Sequence, residues 1–342
     1  MATMRDVAAL ANVSAKTVSR VFNDDPHVSP ETAERVQAAL RQLNYVPNTL
    51  ATTFRAGRAP VIGVAVPDIA DPFFGFIAKG ADALAAQNNL SVVIASLGED
   101  PDREPGIVES LLRQTLSGLI IAPVSHDHAY LKPWSDRTPL VFVDRPPMRL
   151  SADCFIEDDH QGAYTATQHL VQHGHSRIGF IGDDASIPTT RGRLEGYRTA
   201  LEDSGIDYDD RLVSLGVRDR GGAAEALAIL QRLEVTPTAL FSSNARVTMS
   251  LVPMLQGLGL AVTAFGDFPL ADTLSPALTV IDQDPVTLGT LAAQRILDRL
   301  ERPRRRYRRR TVLPVELVER RSCYIAGRLD QQRNHEVVPV AG

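Results

Sequence analysis

The sequence predicts a small all-α head followed by a two-lobed α/β core, and three observations carry that expectation. The first 45 residues hold helix-start signals ahead of apolar residues at helical spacing. From Pro60 onward, short apolar runs alternate with amphipathic stretches. Charge divides unevenly: residues 1–58 carry seven Lys/Arg against five Asp/Glu, while the whole chain stands at −5. A mildly basic head on an acidic body fits a local contact with a polyanion that the body itself repels.

In the head, Thr3-x-x-Asp6 reads as a capping box ahead of Val7, Ala8, Leu10 and Ala11. Ser14 can cap a second helix, Ala15–Phe22, whose inner face is Val18, Val21 and Phe22. Ser29-Pro30 supplies a cap and a first-turn proline for a third helix with Ala33, Val36, Leu40 and Leu43 on one face. Asn12-Val13-Ser14 is so short a link that the first two helices must cross steeply, which is helix-turn-helix geometry. Pro47-Asn48 then opens a segment, Asn48–Arg55, too poor in apolar residues to be a stable helix alone. It reads as a linker able to become helical when docked.

The apolar runs of the core are Val61–Val66, Ser91–Ala95, Leu119–Ala122, Leu140–Val143, Ile178–Ile181, Ala239–Phe241, Val262–Phe265 and Leu278–Ile281. Helical patterns such as Phe76–Gln87, Ala163–Gln172, Arg193–Leu201 and Ala223–Leu233 lie between them. Strand–helix alternation predicts doubly wound parallel sheets covered on both faces. A stretch this long predicts two lobes, with a ligand crevice at the strand C-termini. The expected organisation is a headpiece at 1–46, a hinge at 47–59, a core at 60–322 and a tail at 323–342. At 342 residues the chain exceeds what one core supports, about 250–300 residues.

Several classes are excluded. No apolar run approaches the ~18 residues of a membrane span, and the polar stretch Met1–Asp6 offers no secretory signal. Cys154 and Cys323 make neither a disulfide scaffold nor a CxxC metal site and fit a reducing cytoplasm. The phosphate-loop, HExxH and GxSxG motifs are missing, so no catalytic constellation supports an enzyme and no cofactor is implied.

On the second helix, Ala15, Lys16, Ser19, Arg20 and Asn23 face away from the apolar stripe, free to enter a major groove. Lys and Arg pair with guanine, Ser14, Thr17 and Ser19 suit phosphate or base edges, and Ala15 offers a methyl group. A small bundle with a solvated polar face has the same spacing. The stretches Arg5–Ala8, Asn12–Val21, Val28–Thr32 and Leu43–Asn48 resemble the headpiece of the lactose/galactose repressor (LacI/GalR) family. The resemblance continues through Ile62–Val64, Asp71–Phe74, Phe142–Arg145, His169-Leu170, Gly174-His175 and Pro237–Phe241, to about Ser322.

That resemblance implies a homodimeric bacterial regulator, most often a repressor, that binds a pseudo-palindromic operator in double-stranded DNA. It implies a periplasmic-binding-protein-like core for a small effector, commonly a sugar. Ala15, Lys16 and Arg20 then stand at base-reading positions, with Ser14, Thr17, Ser19, Asn23 and His27 as backbone or auxiliary contacts. The hinge contributes Asn48, Ala51, Phe54 and Arg55, Phe54 taking the place of the leucine that wedges into the central base step. An activator sharing these residues, and a binding protein or enzyme with a vestigial headpiece, are the alternatives.

For the effector, the resemblance implies Arg193, Asp144 and Asn244 as polar ligands, Phe73 as an apolar wall, and Arg218 and Asp267 in neighbouring loops. Ala245 and Gly266 replace carboxylates usual in the family, and Arg218 falls where an aromatic often stacks. Fewer acceptors and an added cation raise the expectation of an anionic sugar derivative, beside a neutral sugar. His169, His173 and His175, like His126 and His128, tempt a metal assignment, but a helix end accounts for the first group and no metal site is assigned. The arginine run between Arg302 and Arg310 reads as a solvated loop before a strand at Val312–Leu317, which family geometry puts away from the operator. Trp134 reads as packing.

Overall fold

A computed structural model describes residues 2–22, 25–44 and 58–324, apart from the side chain of Phe22. Residues 1–59 and 60–342 form two compact units.

The first unit holds α1 (Met4–Ala11), α2 (Ala15–Phe22) and α3 (Pro30–Gln42). Its capping box forms in both directions: Asp6 N–H donates to Thr3 Oγ1 at 3.3 Å and Thr3 N–H to Asp6 Oδ2 at 2.7 Å. Asn12 stops α1 in the left-handed region at φ 53°, which turns the chain sharply into α2. Thr17 N–H donates to Ser14 Oγ at 3.1 Å, and Thr32 N–H to Ser29 Oγ at 3.3 Å. Val7, Ala8, Ala11, Val18, Val21, Val36 and Ala39 close the core between the three helices.

The second unit is two doubly wound lobes. The chain runs β1 (Ala59–Val66), α4 (Pro72–Gln87), β2 (Ser91–Ser96), α5 (Glu104–Leu112), β3 (Leu116–Ile121), α6 (Lys132–Ser135), β4 (Leu140–Val143) and β5 (Asp153–Glu157). It continues with α7 (Asp159–Gln172), β6 (Ile178–Ile181), α8 (Pro188–Asp203), β7 (Val213–Ser214), α9 (Arg220–Gln231), β8 (Ala239–Ser242), α10 (Ala245–Leu255), β9 (Ala261–Phe265) and β10 (Thr279–Asp282). The last elements are α11 (Pro285–Glu301), β11 (Arg310–Leu313) and β12 (Glu316–Val318).

One sheet has the order β11-β5-β4-β3-β1-β2 and the other β12-β10-β9-β8-β6-β7. The pairs run parallel except for β10 with β12. The chain crosses between lobes three times, after β5, after β10 and between β11 and β12. In the first lobe α4 and α11 touch backbone to backbone: a Cβ at Gly289 would lie 1.9 Å from Ile77 O, and one at Gly80 2.1 Å from Val286 O. Only glycine permits that approach.

Two strand expectations are corrected. β5 hides between Asp153 and Glu157, buried charges that break the apolar pattern. The single strand expected at Val312–Leu317 is two strands in different sheets, because Pro314 removes a ladder donor where the chain changes lobes. Trp134 packs against the first lobe's second apolar cluster. Both cysteines are free and buried, and burial pushes the Cys323 thiol up to about 11 and the Cys154 thiol up to about 12.

Candidate DNA-reading helix and effector cleft

On α2, Ser14, Ala15, Lys16 and Arg20 are exposed and Thr17 and Ser19 half-buried, while Val18 and Val21 point into the core. Ser14 is bound to the helix it starts, through the Thr17 N–H and the Thr17 hydroxyl at 2.9 Å. Arg20 Nε lies 3.5 Å from Asp25 Oδ2, and that carboxylate also accepts from His27, by N–H and by Nδ1, each at 3.0 Å. These bonds hold the Asp25 carboxyl below its ordinary value. Sequence reasoning missed Asp25, since the Asp24-Asp25 pair beside a helix end carries no pattern. Asn23, Asn48, Ala51, Phe54 and Arg55 lie outside the described residues.

In the core, strand C-termini of both lobes converge on a cavity of about 190 Å³. Phe73, Asp144, Arg193, Arg218 and Asn244 all line it; Asp267 does not. Arg320 holds Asp267 instead, with Nη2 2.5 Å from Oδ2 and Nη1 3.1 Å from Oδ1. Gly266 follows β9 at φ 85°, where a Cβ would sit 2.9 Å from Gln283 Oε1. A carboxylate-bearing residue there would be strained as well as crowded.

Arg193 is 4% exposed, donating from Nε to Asp159 Oδ1 and from Nη1 to Ser243 O, each at 2.7 Å. Its guanidinium lies 3.8 Å from the centre of the Phe265 ring. Beside it, burial and the nearby Asp144 and Asp159 push Glu157 well above the carboxylate range, against the pull of Arg193. Among the described residues, neither oxygen of Glu157 has a hydrogen-bond partner. Burial likewise raises Asp159 to about 6. Asn244 Oδ1 accepts from Val247 N–H at 2.8 Å and caps α10, so its amide NH₂ is the part left for a ligand. Phe73 meets Phe74 edge-on at 5.1 Å.

The cavity's own charges bear on the expectation of an anionic effector. Six carboxylates line it (Asp68, Asp71, Glu99, Asp144, Asp183 and Asp184) against four arginines. Each arginine already has an acid partner. Arg145 pairs with Asp144 at 3.1 Å and Arg193 with Asp159. Arg218 pairs with Glu99 at 3.3 Å and Asp184 at 3.6 Å. Arg246 pairs with Glu99 and with Asp183. An entering anion would meet cations that each already face a carboxylate. Glu99, Asp183, Arg246 and Gln283 were not foreseen; Gln283 is 5% exposed, and its Nε2 has no partner among the described residues.

The histidines separate. His175 is satisfied by Thr238 Oγ1 at 2.9 Å and Cys323 O at 3.2 Å. His169 and His173 stand with Glu319, their ligand atoms within 4.8 Å of one another. His126 lines the cavity, whereas His128 is buried near Glu104 and accepts from Met148 N–H at 2.8 Å.

Comparison with known proteins joins the two units. The pattern of bacterial regulatory proteins of the lacI family matches residues 3–48, and that of the periplasmic binding protein-like domain matches residues 167–323. The transcriptional regulator GalR of Escherichia coli (strain K12) is 32% identical over 307 residues, 86% of this chain and 88% of GalR. The ribose operon repressor of the same strain is 30% identical over 332 residues, 94% of this chain and all of the repressor (100%). Among solved structures, a lac repressor dimer bound to operator and the anti-inducer ONPF superposes at TM-score 0.82, with 28% identity, 94% of this chain and 99% of that chain. A complex of the transcriptional regulator CelR with cellobiose gives TM-score 0.68 at 28% identity, over 94% of this chain and 100% of that one. No helix among the described residues is long and apolar enough to cross a membrane. The chain belongs to the lacI family of bacterial regulatory proteins and is a sequence-specific DNA-binding transcriptional regulator.

Proposed function

We propose that this regulator is a homodimeric, cytoplasmic repressor whose α2 helices read two half-sites of a pseudo-palindromic operator, and whose cleft takes a neutral sugar. Lys16 and Arg20 supply the base contacts, at about 1–3 kcal/mol per good pair, and Ala15 a methyl contact. Ser14, Thr17, Ser19 and His27 position the helix on the backbone. The reading requires no cofactor and no catalytic step, in keeping with relatives that are regulators rather than enzymes.

The observation that carries the effector class is the pairing of every cavity arginine with a carboxylate. A neutral polyol brings hydroxyls that donate to Asp144 and accept from Arg193, Asn244 and Gln283, and Phe73 offers an apolar face. An effector that favours one lobe arrangement shifts the regulator toward or away from DNA by its differential affinity alone.

Thermal-shift screening of the purified protein tests the effector class, because a ligand stabilises the folded state by RT ln(1 + [L]/Kd). A rise in melting temperature with neutral sugars, and none with their phosphates, is expected. A response confined to phosphorylated sugars or organic acids would overturn it.

A further inference from the structure

The loop between α11 and β11, with the first residue of β11, carries seven arginines from Arg302 to Arg310, in a chain whose net charge is −5. All seven are exposed, and among the described residues none of them forms an ion pair with a carboxylate. The buried acid beside the loop is already engaged, and Glu301 is the one acid next to the run in sequence. Asp153 binds Arg295 at 3.2 Å and Arg299 at 2.7 Å, both on α11. Like charges packed this densely repel one another, so an array left without counter-charges calls for an external polyanion.

The loop is built rather than slack. The Tyr307 ring sits under Arg299, Arg295 and Arg305 at 4.7, 4.9 and 5.3 Å, and its hydroxyl donates to Asp298 O at 3.2 Å. Arg295 Nη1 holds Arg308 O at 3.1 Å, Arg299 Nη1 holds Arg305 O at 3.2 Å, and Arg309 Nη1 reaches Ser151 O at 2.8 Å. The backbone is thus fixed by the arginines of α11, and most of the loop's own guanidinium groups face outward.

Sheet register gives the direction. β11 runs parallel to β5, with Arg310 beside Cys154, β5 parallel to β4, and β4 parallel to β3. The loop precedes β11, so it lies at the strand-start end of the first lobe. The effector cavity is at the opposite, strand-C-terminal end. β1, two places along the sheet from β4 and beside β3, also starts at this end, with Ala59, where the chain enters the core from the headpiece side of the sequence.

We propose that the Arg302–Arg310 loop is a second, sequence-independent contact for the phosphate backbone of double-stranded DNA, added by the core to the headpiece's base reading. The proposal rests on the DNA-binding reading of the chain. Guanidinium forks suit phosphate oxygens bidentately, which fits an array of arginine alone, with no lysine among the seven cations. Protection of the edge strand β11 against pairing with another sheet is the competing use of such charge, and it predicts no effect on DNA.

The test compares the full chain with an Arg304→Gln/Arg305→Gln/Arg306→Gln/Arg308→Gln variant on a duplex of arbitrary sequence across a potassium chloride series. Each lost phosphate contact flattens the plot of log affinity against log salt by about 0.9, so the slope should fall by about 1–3. Preference among genomic fragments should persist, and the four-lysine variant should keep the wild-type slope. An unchanged slope in the glutamine variant, with wild type still binding, overturns the proposal and leaves the DNA-binding reading intact. Failure of wild type to bind any duplex overturns both. Equal melting temperatures of the proteins exclude misfolding as the cause of a change.

Discussion

Arg246, on the second lobe, donates to Glu99, on the first, at 2.5 Å across the mouth of the effector cavity. Arg218 approaches the same carboxylate from the second lobe at 3.3 Å, and Arg246 also holds Asp183. The lobes are therefore clasped through one half-exposed acid. Pairs of this exposure contribute about 0.2–1 kcal/mol each and weaken with salt, so the clasp biases closure without locking it. A ligand of modest affinity can then move the equilibrium.

Glu99→Gln should shift the ligand-free core toward open lobes, by up to about fivefold in the open-to-closed ratio if one such pair is lost. Small-angle scattering should give a larger radius of gyration for the variant at low salt, with the gap closing as salt rises. Identical scattering at all salt concentrations would remove the clasp from the account.

Asn244 has two separable tasks, capping α10 with Oδ1 and offering its NH₂ to the cleft. Asn244→Ala should lower stability by about 1 kcal/mol, the usual loss for a cap. Asn244→Asp keeps the cap acceptor and should melt close to wild type, yet lose most of the response to the neutral sugar found by screening. Equal sugar responses in Asn244→Asp and wild type would show that the amide does not touch the ligand.

The Glu157–Asp159 pair predicts a falling stability profile on the acid side of neutrality. Burial raises Asp159 to about 6, above its unfolded value near 4, so across that window the folded state binds more protons than the unfolded one. Stability must then fall as pH rises from about 4 to about 6, and Glu157, raised further, extends the decline upward. Glu157→Gln removes its share of the slope. Its melting temperature should match wild type near pH 5 and exceed it by a few degrees near pH 8, where about 1 kcal/mol corresponds to roughly 2–4 °C. A constant difference at both pH values would contradict this.

Asp25 restrains Arg20 and His27 while adding a negative charge beside the face of α2 proposed to read DNA. Asp25→Asn should therefore raise affinity for generic DNA and lower the preference for the operator, narrowing the ratio about threefold. Gel-shift titration on both DNAs measures it; an unchanged ratio would mean that the restraint plays no part in reading.

How far the sequence reveals this molecule follows from what each residue depends on. The caps at Thr3, Ser14 and Ser29 and the strands Leu140–Val143 and Ile178–Ile181 are local, and their patterns suffice. β5 escapes because Asp153 and Glu157 are buried by neighbours distant in the chain, Arg299 and Arg193 among them. The cleft is half legible: Phe73, Asp144, Arg193, Arg218 and Asn244 meet there as the resemblance implied. Its electrostatics are not legible, since Arg218 reads as a free cation until Glu99 and Asp184 are seen beside it. Asp267 misleads for the same reason, adjacent in sequence to Gly266 but tied to Arg320.

The central claim is that the exposed edge of α2, from Lys16 to Arg20, recognises a particular DNA sequence. The most direct measurement selects genomic fragments with the wild-type protein and then titrates them with a Lys16→Ala/Arg20→Ala variant of equal melting temperature. Two base contacts at about 1–3 kcal/mol each predict an affinity loss of roughly 30-fold to 10⁴-fold for each half-site of the selected fragments, with far less change on generic DNA. Wild-type affinity of the variant for those fragments would contradict the account.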